Sequence, residues 1–282
     1  MKKVKLFINT AGLCYSNEKH AIKGGENKDV KFNALFGLIK HAEKGWILYD
    51  TGYSTSFYEL TKNYPNKIYS KITKVFIKPE EEVKSQLKHF NIKPSDIKHI
   101  IITHFHADHI GGLKDFENAT FYCSKKAHKT INSTNKFWGF AKGILKDFVP
   151  SNFNQRVKII EEIAVSVPDD IFGIKHDLFG DNSVFIYALP GHTAGQIGVQ
   201  LQTENQNYFL ISDACWYKKS FEELVFPHAI VQLIFHSWKE YKETLRKINK
   251  FFKQYPKTII IPTHCSETTS KLISTKYDID AL

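Results

Sequence analysis

Arginine is nearly absent: Arg156 and Arg246 are the only two, although the 282-residue chain has 39 basic residues and a formal charge of +10. Nucleic-acid sites concentrate arginine for bidentate contacts, and the lysines here run from end to end without a dense block. A lysine-rich soluble surface with no nucleic-acid partner is the expectation, with attraction to acidic substrates or surfaces left open. Cysteine is sparse too. Cys14, Cys123, Cys215 and Cys265 form no CxxC pair, which argues against a thiolate zinc site or a disulfide scaffold. No apolar run approaches the roughly 18 residues of a membrane span. The opening MKKVKLFINTAGLCYS is interrupted by Lys5 and Asn9 and reads as a first strand, not a signal peptide. A cytoplasmic protein without membrane insertion is the default.

What is present suits a globular chain, with 42% hydrophobic residues. VKLFINT, ALFGLIKH and GWILYDTG read as strands, the last two joined by a Glu-Lys-Gly turn into a hairpin. Helical periodicity follows at Ser54 to Asn63 and at Pro79 to Phe90, where Val83, Leu87 and Phe90 share a face. ATFYCS is a strand and Lys125 to Ile131 a short helix. From about 133 to 181 the pattern loosens, with Phe137, Trp138, Phe140, Phe148 and Phe153 among polar residues, and reads as an aromatic-rich insertion in a single domain spanning 1–282. VFIYALP, QIGVQLQ and NYFLISD return to strands. An amphipathic helix SWKEYKETLRKINKFFKQY, a strand TIIIPTH and a last helix close the chain. Strands grouped in each half, with helices between and after them, predict an α/β (α+β) domain with two sheets.

The chemistry concentrates in HIIITHFHADHIGG, residues 99–112. The isoleucines suit a buried strand, so His104, His106, Asp108 and His109 fall where it gives way to a glycine turn. Alternation puts His104 and His106 on one side, and the turn swings Asp108 and His109 to a neighbouring point. Three further donors share this context: His192 follows VFIYALPG, Asp213 follows NYFLIS and His264 follows TIIIPT. Strand ends along one sheet edge let donors from distant positions converge on rigid supports.

THFHADH, a GHT histidine, a strand-end aspartate and a strand-end histidine together resemble the metallo-β-lactamase superfamily, from the DTG at Asp50 to His264. The resemblance implies a four-layer αββα sandwich with a dinuclear metal site at one edge. It makes His104, His106 and His192 ligands of one metal and Asp108, His109 and His264 of the other, with Asp213 bridging. Imidazole and carboxylate without thiolate suit two zinc ions, and iron, manganese or cobalt fit the same donors. Asp50 is the carboxylate that orients a ligand histidine, while Thr103 and Thr193 serve turns and supporting hydrogen bonds. A hydroxide shared by the metals would attack a carbonyl, with Asp108 a candidate proton shuttle.

Departures narrow the group. Asp213 argues against true β-lactamases, which generally lack a bridging aspartate. Glyoxalase II enzymes carry a helical domain after the last histidine, and the chain ends at Leu282, too soon for one. Nuclease arms and flavin domains are not evident. The remaining likeness is to N-acyl homoserine lactonases and related esterases, which implies a small-molecule lactone or ester substrate and a quorum-quenching role. In that group the bridging aspartate is followed three residues later by a tyrosine touching the substrate carbonyl. Here that place is Trp216, and Tyr217 comes next; either Tyr217 serves as the catalytic tyrosine through a shifted loop or the contact is missing. Gln196 also replaces a common histidine. Phe137, Trp138, Phe140, Trp216 and Phe226, with Ile234 and Phe235, are candidates for an acyl-chain trough, for core packing or for a homodimer interface. A phosphodiesterase or organophosphate triesterase, and a catalytically idle metal-binding sensor, stand as alternatives.

Overall fold

The computed structural model describes residues 1–273. Its strands in chain order are β1 (Lys5–Asn17), β2 (Asp29–His41), β3 (Gly45–Tyr49), β4 (Val75–Phe76), β5 (Ile97–Ile101), β6 (Thr120–Cys123) and β7 (Val157–Ile159), then β8 (Val165–Asp169), β9 (Gly173–Asp177), β10 (Val184–Ala188), β11 (Ile197–Gln202), β12 (Asn207–Ser212) and β13 (Thr258–Pro262). They form a seven-stranded sheet, β4-β1-β2-β3-β5-β6-β7, and a six-stranded sheet, β13-β12-β11-β10-β9-β8. The expected hairpin is β2 against β3, antiparallel with Lys40 opposite Trp46. β3, β5, β6 and β7 then run parallel, and buried parallel strands need the continuous apolar runs seen at Ile100–Ile102.

Side-chain alternation assigns the layers. On β2, Leu35 and Ile39 belong to the cluster between the sheets, while Ala34, Phe36 and Leu38 face the larger outer cluster. On β12, Leu210 points inward, and Phe209 and Ile211 point outward. The long helix Trp238–Gln254 covers that outer face with Tyr241, Leu245, Ile248 and Phe251, and Ser237 caps its start by accepting from the Glu240 N–H at 3.2 Å. Two sheets face to face with helices outside are the αββα sandwich that the resemblance implies.

The stretch at 133–181 divides in two. Residues 134–156 are turns and short helical pieces, but 157–177 supplies β7 to one sheet and the β8–β9 hairpin to the other. The second part is therefore sheet, not inserted loop. Its alternation is faint because β8 and β9 form the outer edge of their sheet, half-exposed along their length and carrying Pro168, a residue tolerated at edges. At the end of the sandwich, buried His41 donates through Nε2 toward Asp181 Oδ2 (2.9 Å) and Ser183 Oγ (3.0 Å), and its Nδ1 accepts the Glu43 and Lys44 N–H groups. This ties the β2–β3 turn to the β9–β10 turn and thus one sheet to the other.

Candidate metal centre

Five strand ends build the site. The chain leaves β5 through Thr103 into His104, and a single helical turn, Ala107–Ile110, carries Asp108 and His109, with His106 just before it. β10, β12 and β13 end just before His192, Asp213 and His264, and β3 just before Asp50. All seven donors meet in two groups. His104, His106 and His192 form one, and Asp108, His109, Asp213 and His264 the other, each with donor atoms within 4.8 Å of one another.

Asp213 stands between the groups. Its Oδ2 is 3.0 Å from His264 Nε2 and 3.5 Å from His192 Nε2, while its Oδ1 is 3.5 Å from His109 Nε2. Asp108 Oδ2 lies 3.3 Å from His264 Nε2 and 3.4 Å from His109 Nε2, and His106 Nδ1 faces His192 Nε2 at 3.0 Å. His104 Nε2, His109 Nε2 and Asp213 Oδ1 are buried without a hydrogen-bond partner. Buried polar atoms are rarely left so, and three orphaned atoms in one cluster of imidazoles and carboxylates fit divalent cations.

The rest of each ring is held from behind. Asp50 Oδ2 accepts from His109 Nδ1 at 2.7 Å and from Thr103 Oγ1 at 2.8 Å, and its Oδ1 accepts the Thr103 N–H at 2.8 Å. Thr103 Oγ1 and Ser212 Oγ are 2.9 Å apart and lie 3.2 and 3.3 Å from His104 Nδ1. His264 Nδ1 donates to the Asn33 carbonyl at 2.9 Å, with the Phe32 ring stacked on it at 4.8 Å. Asp50 (φ 55) and Ser212 (φ 51) are both left-handed, a backbone state that costs non-glycine residues about 1 kcal/mol or more and is here secured by these bonds.

Two glycines permit close approaches. A Cβ on Gly191 (φ +133) would fall 2.2 Å from Tyr241 Cα, so only glycine lets the His192 loop lie on the long helix, where His236 and Ser237 N–H groups bind the carbonyls of His192 and Gly191. A Cβ on Gly143 (φ +70) would fall 2.8 Å from His106 Cδ2, and the Lys142 backbone hydrogen-bonds that ring.

Charge separates the groups. Burial lowers His104 and His106, and lowers His192 to about 3, helped for His104 and His192 by neighbouring imidazoles, so all three are neutral donors. In the other group burial opposes charge but is outweighed. His109 is raised by Asp108, Asp50 and Asp213, and His264 by Asp213, while the two histidines lower Asp108 to about 2 and hold Asp213 well below the usual carboxylate range. Two carboxylates balanced by two protonated imidazoles is an arrangement in which a cation takes the place of protons.

Five of the donors, His106, Asp108, His192, Asp213 and His264, line a cavity of about 830 Å³. Of the expected trough residues, Phe140, Trp216 and Ile234 line it. Phe137 and Trp138 do not: they are 57% and 64% exposed. Phe226 packs against Trp238 instead, and Phe235 sits behind His192 at 5.1 Å. Tyr217, the candidate catalytic tyrosine, is not among the lining residues. Its ring packs edge-on to Phe32 at 6.4 Å outside the cavity lining, because Trp216 takes the inward position, its indole N–H 3.4 Å from Asp213 Oδ2, and the helix Lys218–Glu223 starts directly after Tyr217. Gln196 is fully buried and donates to the Leu189 carbonyl, away from the cavity. The wall that sequence reasoning missed comes from β1 and β2 and the segment after Asp50: Cys14, Asp29, Phe32, Tyr53 and Tyr69. Of these only Tyr53, three residues after Asp50, carried a signal in its place in the sequence.

A two-sheet αββα sandwich with this centre at one edge defines a class, the metal-dependent hydrolases of the metallo-β-lactamase fold. Residues 31–264 match the metallo-β-lactamase superfamily model, and the chain belongs to that superfamily. It is 26% identical to an N-acyl homoserine lactonase of a Bacillus species over 86% of this chain and 89% of that one, and 27% identical to one of Bacillus cereus over the same shares. It superposes with a TM-score of 0.73 on an N-acyl homoserine lactone hydrolase solved with N-hexanoyl-L-homoserine at its catalytic metal centre, covering 96% of this chain and 97% of that one at 20% identity. A dizinc quorum-quenching lactonase, AidC, gives 0.62 at 17% identity, covering 94% and 88%. Among the described residues no helix is long and apolar enough to cross a membrane.

Proposed function

We propose that the protein hydrolyses the ring ester of an N-acyl homoserine lactone with two divalent metal ions, zinc first among them. The observation that carries this reading is the convergence of seven donors, five of them lining a cavity large enough for an acylated lactone and three of their buried atoms unpartnered. The lactonase relatives, matched along most of both chains, support the same substrate class. Divalent ions held by these donors would supply hydroxide near neutral pH and polarise the ester under attack.

The protein's own groups do the rest. His104, His106 and His192 offer neutral nitrogens, and Asp213 faces both groups. Asp108, beside His109 and His264 and on the cavity wall, is placed to take the proton released on attack and return it to the leaving oxygen. Phe32, Phe140, Trp216 and Ile234 give an acyl chain an apolar wall and keep water from the ester.

Acid release from a long-chain N-acyl homoserine lactone tests this, with a chelated sample and Asp213→Ala as controls. Fast release that both controls abolish is the expected result. Equal release in Asp213→Ala contradicts the assignment. Turnover of phosphotriesters but not lactones would retain the metal centre and replace the substrate.

A further inference from the structure

Large apolar side chains gather in the open around the mouth of the cavity. Ile72, Ile230 and Ile234 line it and are exposed. The Phe140 ring, also on the lining, lies 6.1 Å from Trp138, which lies 5.5 Å from Phe137. The helix Lys67–Ile72 touches the helical turn Gly139–Lys142, so Ile72 and these aromatics form one lip. The turn Ala229–Leu233, packed on the short helix Glu18–Ala21, forms the other, with Leu233 86% exposed. Soluble proteins seldom leave such a patch bare unless something covers it. A substrate chain inside the cavity does not supply the cover, because Phe137, Trp138 and Leu233 lie outside its lining.

Charge indicates what does. Lys71, Lys74 and Lys142 stand on the first lip, next to Ile72 and Phe140, and form no ion pair among the described residues; Lys71 lies against the Tyr64 ring at 5.8 Å instead. Asp29 is the one acidic residue on the cavity lining apart from the donors Asp108 and Asp213. The whole chain carries a formal charge of +10. A second copy set on this face across a twofold axis would oppose the lysines to themselves. A surface that is apolar within and anionic at its boundary complements both the side chains and the lysines around them.

We propose that this face docks on an anionic phospholipid bilayer, with Ile72, Trp138, Ile230 and Leu233 seated among the headgroups and the lysines against lipid phosphates. The chain lies on the membrane and does not cross it. The cavity mouth then opens onto the layer in which an amphiphilic ester concentrates, and an acyl chain leaving the lipid meets apolar side chains as far as Trp216 beside Asp213. Docking goes beyond the lactonase reading and does not depend on which ester the centre opens.

Cosedimentation of the zinc-loaded full chain with vesicles tests it, using phosphatidylcholine alone and phosphatidylcholine mixed with phosphatidylglycerol. Binding to the mixed vesicles is expected to be about tenfold tighter or more, and to weaken as salt is raised. Trp138→Ser/Leu233→Ser and Lys71→Gln/Lys74→Gln are each expected to lower it by about tenfold, with unchanged circular dichroism and zinc content. No binding to the mixed vesicles, or binding that both variants retain in full, overturns the proposal. Gel filtration reads the competing occupant: a concentration-dependent dimer that Trp138→Ser/Leu233→Ser dissolves, without lipid binding, overturns the bilayer and gives the face to a second copy. None of these readouts involves turnover, so their failure leaves the lactonase reading standing, and failure to open lactones leaves the docking standing.

Discussion

Asp50 Oδ2 and His109 Nδ1 are 2.7 Å apart, both side chains fully buried, and this contact decides which nitrogen of His109 faces the other donors. With Nδ1 engaged, Nε2 is left toward Asp108 and Asp213. A carboxylate behind a ligand histidine fixes its tautomer and raises its basicity.

Asp50→Asn therefore weakens metal binding without unfolding the chain, since asparagine tolerates the left-handed backbone that Asp50 adopts. Loss of such a supporting carboxylate lowers affinity by about 10- to 100-fold. Zinc competition against a chromophoric chelator measures it, and an affinity equal to wild type would remove Asp50 from the centre.

Gly143→Ala acts on the other group. The added methyl meets the His106 ring at 2.8 Å on a backbone that alanine disfavours, so the ring or the loop must move. Zinc held by His104, His106 and His192 is expected to weaken, with the melting temperature lowered only slightly. Elemental analysis after dialysis reads the first effect and thermal unfolding the second.

The seven donors were legible in the sequence because each follows shortly after an apolar strand, and that context fixes the sheet edge at which they meet. The cavity wall was not. Cys14 and Phe32 face each other across β1 and β2, and Tyr53 and Tyr69 reach them from separate elements through tertiary packing, so nothing in their spacing marks a common surface. Phe137 and Trp138 were misplaced for a related reason: an aromatic residue in a loop has no periodicity to say which way it points, and these two face solvent. The order Trp216 inside and Tyr217 outside depends on where the helix Lys218–Glu223 starts, a boundary that sequence resolves poorly.

Acid sensitivity of the metal-free protein follows from His192. Its folded pKa is lowered from 6.5 to about 3 by burial and by His106, so below 6.5 the unfolded chain takes up a proton that the folded one refuses. The stabilising contribution of the neutral ring is complete above 6.5 and lost progressively as the pH falls toward 3. His109 and His264, whose pKa values are raised, act with the opposite sign and lose their contribution as the pH rises through their folded values. The difference in unfolding free energy between wild type and His192→Gln in chelator isolates the first effect and is expected to shrink across that acidic window; a constant difference would exclude it.

The central claim is a centre for two metal ions in which Asp213 serves both. Zinc titrated into the metal-free chain, with bound metal and lactone opening followed together, tests it most directly. Two equivalents are expected to bind per chain, with turnover maximal only once the second is in place and tight binding of both lost in Asp213→Ala. Saturation at one equivalent with full turnover, or two tight equivalents retained by Asp213→Ala, would contradict it.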